Sequence, residues 1–375
     1  MKKGTICLIF IFIIAFSSLL WGEETIDQKI AALGKKLPTV TGKEKVDTLN
    51  KLAGGYIHKS ADQCIQYAAR ALKLARQLRY PIGEGNAYNC TAIGNAILGN
   101  LEKARECFEK ALEIFKKSEY KTGIAQTLNN LGSFYKRLSN YEKALEFYLK
   151  SHEIEKSIDR GLGIAITLDN IGNAYGGLNN YEKSLEYHLK ALNLKEKLGD
   201  QNRIADSMYS IGLLYLNLGK TGKALKYFKK AIKIYDEQGN KQGYSDSTMV
   251  IGITYFDLKK YDSALEYYQK ALEMAEELRD KRGIGYALGN IASVYQELKE
   301  YKKALDYYYK SLIIVEEIND KKQMALTLIG IGFCHIQFRD YDTALENLQR
   351  ALKIGKEIKV KGLLKMSYVY GAQIN

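Results

Sequence analysis

The chain has 375 residues, is 46% hydrophobic and carries a formal net charge of +13, with 29 tyrosines and only two prolines, Pro38 and Pro81. That apolar content excludes a disordered chain, and so few helix breakers point to long helices. Acidic residues are interleaved with the lysines, as in Glu142-Lys143 and Glu276-Glu277, so the charge reads as a solvated helical face and no nucleic-acid partner is expected.

Residues 1–22 read as a secretory signal peptide: Lys2 and Lys3, an apolar run from Thr5 to Trp21, then Gly22 before Glu23-Glu24. The run also lies at the lower edge of what spans a bilayer, so an uncleaved anchor at residues 5–21 is the alternative, and the only expected membrane contact. Cys7 lies too early in the run to accept a lipid. Residues 23–44 form a polar lead-in whose patch Ile26, Ile30, Leu33 and Leu37 predicts a capping helix, ended by Pro38 and Gly42.

Residues 45–364 hold eight helix pairs. The first, 45–84, is degenerate and slips by one residue in its turn; the second, 85–124, returns to the frame. From Asn130 onward one unit recurs without a gap: NLGSFYKRLSNYEKALEFYLKS at 130–151 becomes NIGNAYGGLNNYEKSLEYHLKA at 170–191, and the same frame continues from Ser210, Val250, Asn290 and Gly330. A period of this kind marks a solenoid. In each unit Leu128, Leu131, Tyr135 and Leu138 share one helical face, Asn140 caps a second helix, and Tyr141, Ala144, Leu145 and Tyr148 form its apolar stripe. Gly132, Gly172, Gly212, Gly252 and Gly332 recur in the first helix, with Ala292 as the exception, where a missing side chain permits a close helix crossing. Gly176-Gly177 falls outside this stripe, so Gly177→Ala is expected to be mild. Residues 365–375 begin a ninth first helix; either it serves as a terminal cover or the chain is cut from a longer protein.

These residues resemble the tetratricopeptide repeat (TPR) family at nearly every consensus position. The family's Leu-Gly-x-x-Tyr matches Leu131-Gly132 and Tyr135, and its small and aromatic second-helix positions match Ala144, Tyr148 and Ser151. Its Trp is replaced by Leu128, Leu168, Met208, Leu288 and Leu328, its late Pro is absent, and the period exceeds the usual 34 by six residues, placed near Ser157 to Gly163. That variant looks like the extended repeats of bacterial Rap-type regulators and kinesin light chains. The resemblance implies an all-α, right-handed TPR α-solenoid whose first helices line a concave face where peptides or helices bind.

Little in the chain suggests catalysis. Cys64, Cys90, Cys107 and Cys334 match no zinc or redox spacing, and Cys90 with Cys107, in one repeat, is the pairing to test. Of His58, His152, His188 and His335, the last two stand at repeat aromatic positions and read as packing substitutes. Gly219-Lys220-Thr221 lacks the earlier glycine of a phosphate loop, and Gly161-Leu162-Gly163 lacks the third glycine of a dinucleotide fingerprint. No enzyme activity, cofactor or metal site is expected.

Function therefore falls to a surface. The first-helix positions that the packing stripe leaves free are Asn129, Asn130, Ser133, Lys136, Asp169, Asn170 and Asn173 in the third and fourth repeats, with Asn290 of the same kind further on. Side-chain amides at this spacing can hold an extended peptide backbone. In the later repeats these positions become Tyr209, Leu213, Leu216, Met249, Val250, Ile253, Phe256, Ile329, Phe333 and Ile336. They form either an apolar groove for a protein partner or a row buried between neighbouring first helices. The expected function is an exported, non-catalytic scaffold for protein–protein interaction; the alternative is the sensory input region of a larger bacterial signalling protein of the sensor kinase or cyclase type.

Overall fold

A polar residue or glycine stands at every twentieth position from Arg79 to Lys359, and proline is almost absent between them. Those two facts set the backbone. The computed structural model describes residues 26–57 and 59–372. The expected signal peptide with Cys7, and His58, lie outside the described residues. Of the described residues 85% are helical and none is in a strand.

Helix α1 (Ile26–Lys36) runs through a 3-10 turn (Leu37–Thr39) into α2 (Gly42–Tyr56), which is followed by α3 (Ala61–Gln77). The pairs α4 (Pro81–Ile97) and α5 (Leu101–Lys117), α6 (Lys121–Arg137) and α7 (Tyr141–Ser157), and α8 (Gly161–Gly177) and α9 (Tyr181–Leu198) come next. Then come α10 (Gln201–Asn217) and α11 (Thr221–Glu237), α12 (Lys241–Asp257) and α13 (Tyr261–Glu277), α14 (Lys281–Glu297) and α15 (Tyr301–Glu317), α16 (Lys321–Gln337) and α17 (Tyr341–Glu357), and finally α18 (Lys361–Gly371). The chain divides into two units, one through Arg203 and one from Ile204.

The extra length of the repeat goes into the helices, not into one turn. The two helices of the third repeat, α6 and α7, are equal in length, as are α4 and α5 before them and α12 and α13 after. The link after Ser157 is no longer than the others, since α8 starts at Gly161. Each link is the same device. The residue after the C-cap is left-handed, at Arg79, Gly99, Glu119, Ser139 and so on at even spacing to Lys359. Around Ser139 its N–H donates to the Lys136 carbonyl at 2.9 Å and the Asn140 N–H to the Tyr135 carbonyl at 3.0 Å, a Schellman turn. The next residue then starts a new helix: Asn140 Oδ1 accepts from the Lys143 N–H at 3.1 Å, as expected, and Asn180, Asn240, Asp320 and Asp340 do the same.

The repeat glycines make room for rings. A Cβ on Gly132 would stand 2.5 Å from the Tyr148 ring, on Gly212 2.5 Å from Phe228, and on Gly252 2.6 Å from Tyr268. The gain is thus an aromatic side chain of the second helix laid on the first helix's backbone, which is what sets the close crossing. The exception is compensated: where Ala292 replaces the glycine, the Tyr308 ring fills the space a Cβ on Gly330 of the next repeat would need, 2.4 Å from Cζ. Gly177 is not the neutral position expected, because a Cβ there would stand 2.3 Å from the Tyr141 ring. On the outer side, Tyr135 stacks on Phe147, Tyr175 on Tyr187 and Tyr295 on Tyr307, with centroids 5.4, 5.5 and 5.5 Å apart. Lysines cover these stacks, as Lys143 covers Tyr135 at 5.2 Å. In the second unit the ion pairs Lys241–Glu277, Lys281–Glu317 and Lys321–Glu357 tie the start of each first helix to the end of the next second helix.

Candidate partner-binding face

The residues expected to bind a partner lie on the first helices, and the fold treats them unequally. In the first unit Asn170 is 3% exposed and donates from Nδ2 to Asn129 Oδ1 at 2.8 Å. This bond is a rung between α6 and α8, so the Asn170 N–H is spent within the fold and not offered to a peptide. Asp169 is likewise engaged. Its Oδ1 lies 3.0 Å from His188 Nδ1, and its Oδ2 meets the Lys195 ammonium. Lys195 and His188 are both nearly closed to solvent. Burial alone would push the Asp169 carboxyl up, but the His188 hydrogen bond and the Lys195 charge outweigh it and hold the group below the ordinary carboxylate range. Asn129, Asn130 and Asn173 stay half-buried.

In the second unit the apolar row divides. Leu213, Val250 and Ile329 are 7%, 6% and 2% exposed, so these three belong to the core and the reading of a row buried between neighbours holds for them. Tyr209, Leu216, Met249, Ile253, Phe256 and Phe333 are half-buried. Phe256 is not off the packing stripe as expected: with Met249 and Ile253 it packs on the core around Tyr268 and Ile291, and its ring tilts against Tyr261 at 5.9 Å. Asn290 donates from Nδ2 to the Met249 sulfur at 3.3 Å, repeating further along the chain the pairing of Asn170 with Asn129. Phe333 meets Tyr370 of α18 edge to face at 5.2 Å.

The same face carries ionisable groups, of which patterning singled out Lys136 and Tyr209 but not Asp206 and Asp246. Burial raises the Asp246 carboxyl, although its side chain reaches solvent, and burial lowers the Lys136 ammonium. Tyr235 donates to Asp206 Oδ1 at 2.6 Å, and the Tyr209 hydroxyl is pushed up by burial and by the nearby Asp246 charge. Asp206 and Asp246 stand one period apart in the sequence, the only signal by which they were findable.

Elsewhere the expected chemistry resolves into packing. His188 and His335 do replace ring positions, and each also bonds a carboxylate, His335 Nδ1 lying 2.9 Å from Asp340. All four described cysteines are free thiols; Cys64 donates to the Cys90 carbonyl, so the thiol beside Cys90 is Cys64 and not Cys107. Burial pushes the thiols of Cys64 and Cys334 up to about 12. Among the described residues no helix is long and apolar enough to cross a membrane, and no group of three or more potential ligands converges on a metal position.

Solved structures share this fold. A signal-transduction ATPase with numerous domains (STAND protein) with a tetratricopeptide repeat sensor, from Pyrococcus horikoshii, is 20% identical with a TM-score of 0.61, over 93% of this chain and 55% of that one. Aspartyl phosphate phosphatase F from Bacillus subtilis is 12% identical with a TM-score of 0.59, over 89% and 95% of the two chains. A Rap protein complexed with competence and sporulation factor is 15% identical with a TM-score of 0.52, over 91% and 99%. At these identities the likeness speaks for the fold; this chain spans about half of the STAND protein. No curated protein matches the sequence. Tetratricopeptide repeat models match residues 83–157, 123–197, 163–237, 203–277 and 283–357, and a second such model matches 248–317. With the models covering well over half of its length, and with helix pairs built on the expected glycine, alanine and tyrosine positions, the chain belongs to the tetratricopeptide repeat family.

Proposed function

We propose that this protein is a non-catalytic scaffold, exported from the cytoplasm, that binds a protein or peptide through its first-helix face. The observation that carries the reading is the half-buried apolar row Leu216, Met249, Ile253 and Phe256 on α10 and α12. These side chains are less covered than Leu213 and Val250 beside them, so a partner would complete their burial. Within the first unit, the polar residues left on α6 and α8, Asn130 and Asn173, suit a polar or extended ligand segment. Export rests on the Lys2-Lys3 start and the apolar run to Trp21.

The test is isolation of native partners with the full chain, followed by titration against Leu216→Glu and Ile253→Glu, with circular dichroism as the control for folding. Binding lost in both variants at unchanged helicity supports the face; full binding by both refutes it. Fractionation of cells expressing a tagged chain, with N-terminal sequencing of the product, tests export. The second reading, a sensory region, is favoured by the STAND protein, whose repeats are described as a sensor. A catalytic output domain encoded in the same reading frame would decide for it.

A further inference from the structure

The repeats share a charge pattern on their second helices, and α11 inverts it. From α5 to α17 the other second helices carry an acidic residue four positions before a basic one, and in α7, α9 and α13 the two pair: Glu146 with Lys150 at 2.5 Å, Glu186 with Lys190 at 2.6 Å, Glu266 with Lys270 at 2.7 Å. Such pairs supply the ordinary support of an exposed helix. In α11 the acidic position is Lys226, four residues before Lys230. Two further positions change in the same sense. Gly222 stands where α7, α9 and α13 carry Glu142, Glu182 and Asp262, and Lys233 stands where Glu113, Glu153 and Glu273 occur. Gly222 is not there for packing, because a Cβ on it would meet nothing within 4 Å.

The outcome is a helix whose outer side is a row of exposed ammonium groups: Lys223, Lys226, Lys229, Lys230 and Lys233. Among the described residues, Lys226 and Lys230 have no carboxylate partner, and Lys233 reaches Glu237 only at 3.8 Å. The row borders a shallow groove of about 510 Å³ floored by Leu225 and Tyr255, with Lys229 set over the Tyr255 ring at 5.7 Å. Lys223 to Lys233 spans about 15 Å along the helix axis. Like charges this close repel one another, so the row weakens its own helix and gains when counter-charges settle on it.

We propose that the outer side of α11 is a docking surface for an acidic segment of a partner protein, its carboxylates on the lysine row and an apolar side chain in the Leu225–Tyr255 groove. Charge complementarity and shape both favour a narrow peptide over a broad polyanion. The neighbouring second helix α13 exposes Asp262, Glu266, Glu273, Glu276 and Glu277, of which Glu266 is paired with Lys270 and Glu277 with Lys241. A lipid bilayer or a nucleic-acid duplex laid across both helices would press its phosphates on these carboxylates. A single acidic strand or helix along α11 avoids them. The proposal stands on α11 and on Tyr255 of α12, and does not depend on the partner-binding row of the first helices.

The experiment is fluorescence anisotropy of the full chain with a short labelled peptide of alternating Glu and Leu, beside the same peptide with Gln for Glu. The Glu peptide is expected to bind and the Gln peptide not, with affinity falling as salt rises. Lys226→Glu restores the pair found in α7, α9 and α13, so it should keep or raise the melting temperature while weakening the peptide about tenfold or more. Lys230→Glu should weaken it similarly. Equal binding by wild type and both variants overturns the proposal. So does tighter binding of phosphatidylglycerol vesicles or a DNA duplex than of the Glu peptide, if the same variants abolish it.

Discussion

Lys195→Met tests whether the buried charges of the fourth repeat are a structural unit. Lys195 occupies the position filled by Phe115, Tyr235, Ala275 and Val315 in other repeats, so the site accepts an apolar side chain of similar length. What the change removes is the cation beside Asp169, whose side chain is 20% exposed. Leaving a buried charge without its partner costs about 3–5 kcal/mol. Asp169 keeps the His188 hydrogen bond at 3.0 Å and some access to water, so the lower end, about 3 kcal/mol, is expected. Asp169→Asn with Lys195→Met removes both charges and should cost about 1 kcal/mol or less, since a neutral pair of similar volume replaces an ion pair with little loss.

Repeat proteins open locally, so the measurement is hydrogen exchange of α8 and α9 amides together with denaturant melts. The pH dependence has a fixed sign. The folded Asp169 carboxyl titrates below its unfolded value, so its stabilisation is complete above the ordinary carboxylate pKa and is lost as pH falls through the folded value. The gap between wild type and Lys195→Met should therefore narrow on acidification below about pH 4. A single variant no less stable than the double one, or a gap that widens in acid, refutes the reasoning.

Two further predictions concern the backbone. Gly212→Ala puts a Cβ 2.5 Å from the Phe228 ring and Gly177→Ala one 2.3 Å from Tyr141, so both should lower stability, by about 1–3 kcal/mol, in chemical denaturation. Lys299 is left-handed at φ 62°, so Lys299→Gly should raise stability by up to about 1 kcal/mol, and Gly219→Val, at φ 68°, should lower it by about the same or more in the same assay.

The pair architecture was legible because a solenoid writes its packing once and repeats it. Ala144, Tyr148, Ile171 and Gly132 sit where the period placed them, all buried. The link geometry was only half legible: Asn140 announced a cap, but the left-handed residue in the link is a non-glycine such as Ser139, Glu119 or Lys259 far more often than a glycine, and side-chain identity there gives no warning. The role of Gly177 was missed because its ring partner, Tyr141, belongs to the preceding repeat, and a stripe drawn within one helix contains no contact between repeats.

The binding face was the least legible, for a physical reason that also says where to look. A first-helix position is open or covered according to the side chains of the repeats beside it, so one frame yields a buried Leu213 and a half-open Ile253. Asn170 and Asp169 have the composition of a recognition ladder, yet each is consumed by a neighbour in the fold, Asn129 for the one and His188 for the other. Recurrence in a repeat protein therefore reports what the fold requires. Information about a partner lies in positions that break the recurrence without a packing cause. Lys195 breaks it but is answered by Asp169 inside the fold, and Gly330 breaks it but answers Tyr308. Lys226 and Gly222 break it on the outside, where no neighbouring side chain answers them, and that difference is what separates a candidate surface from a compensated core.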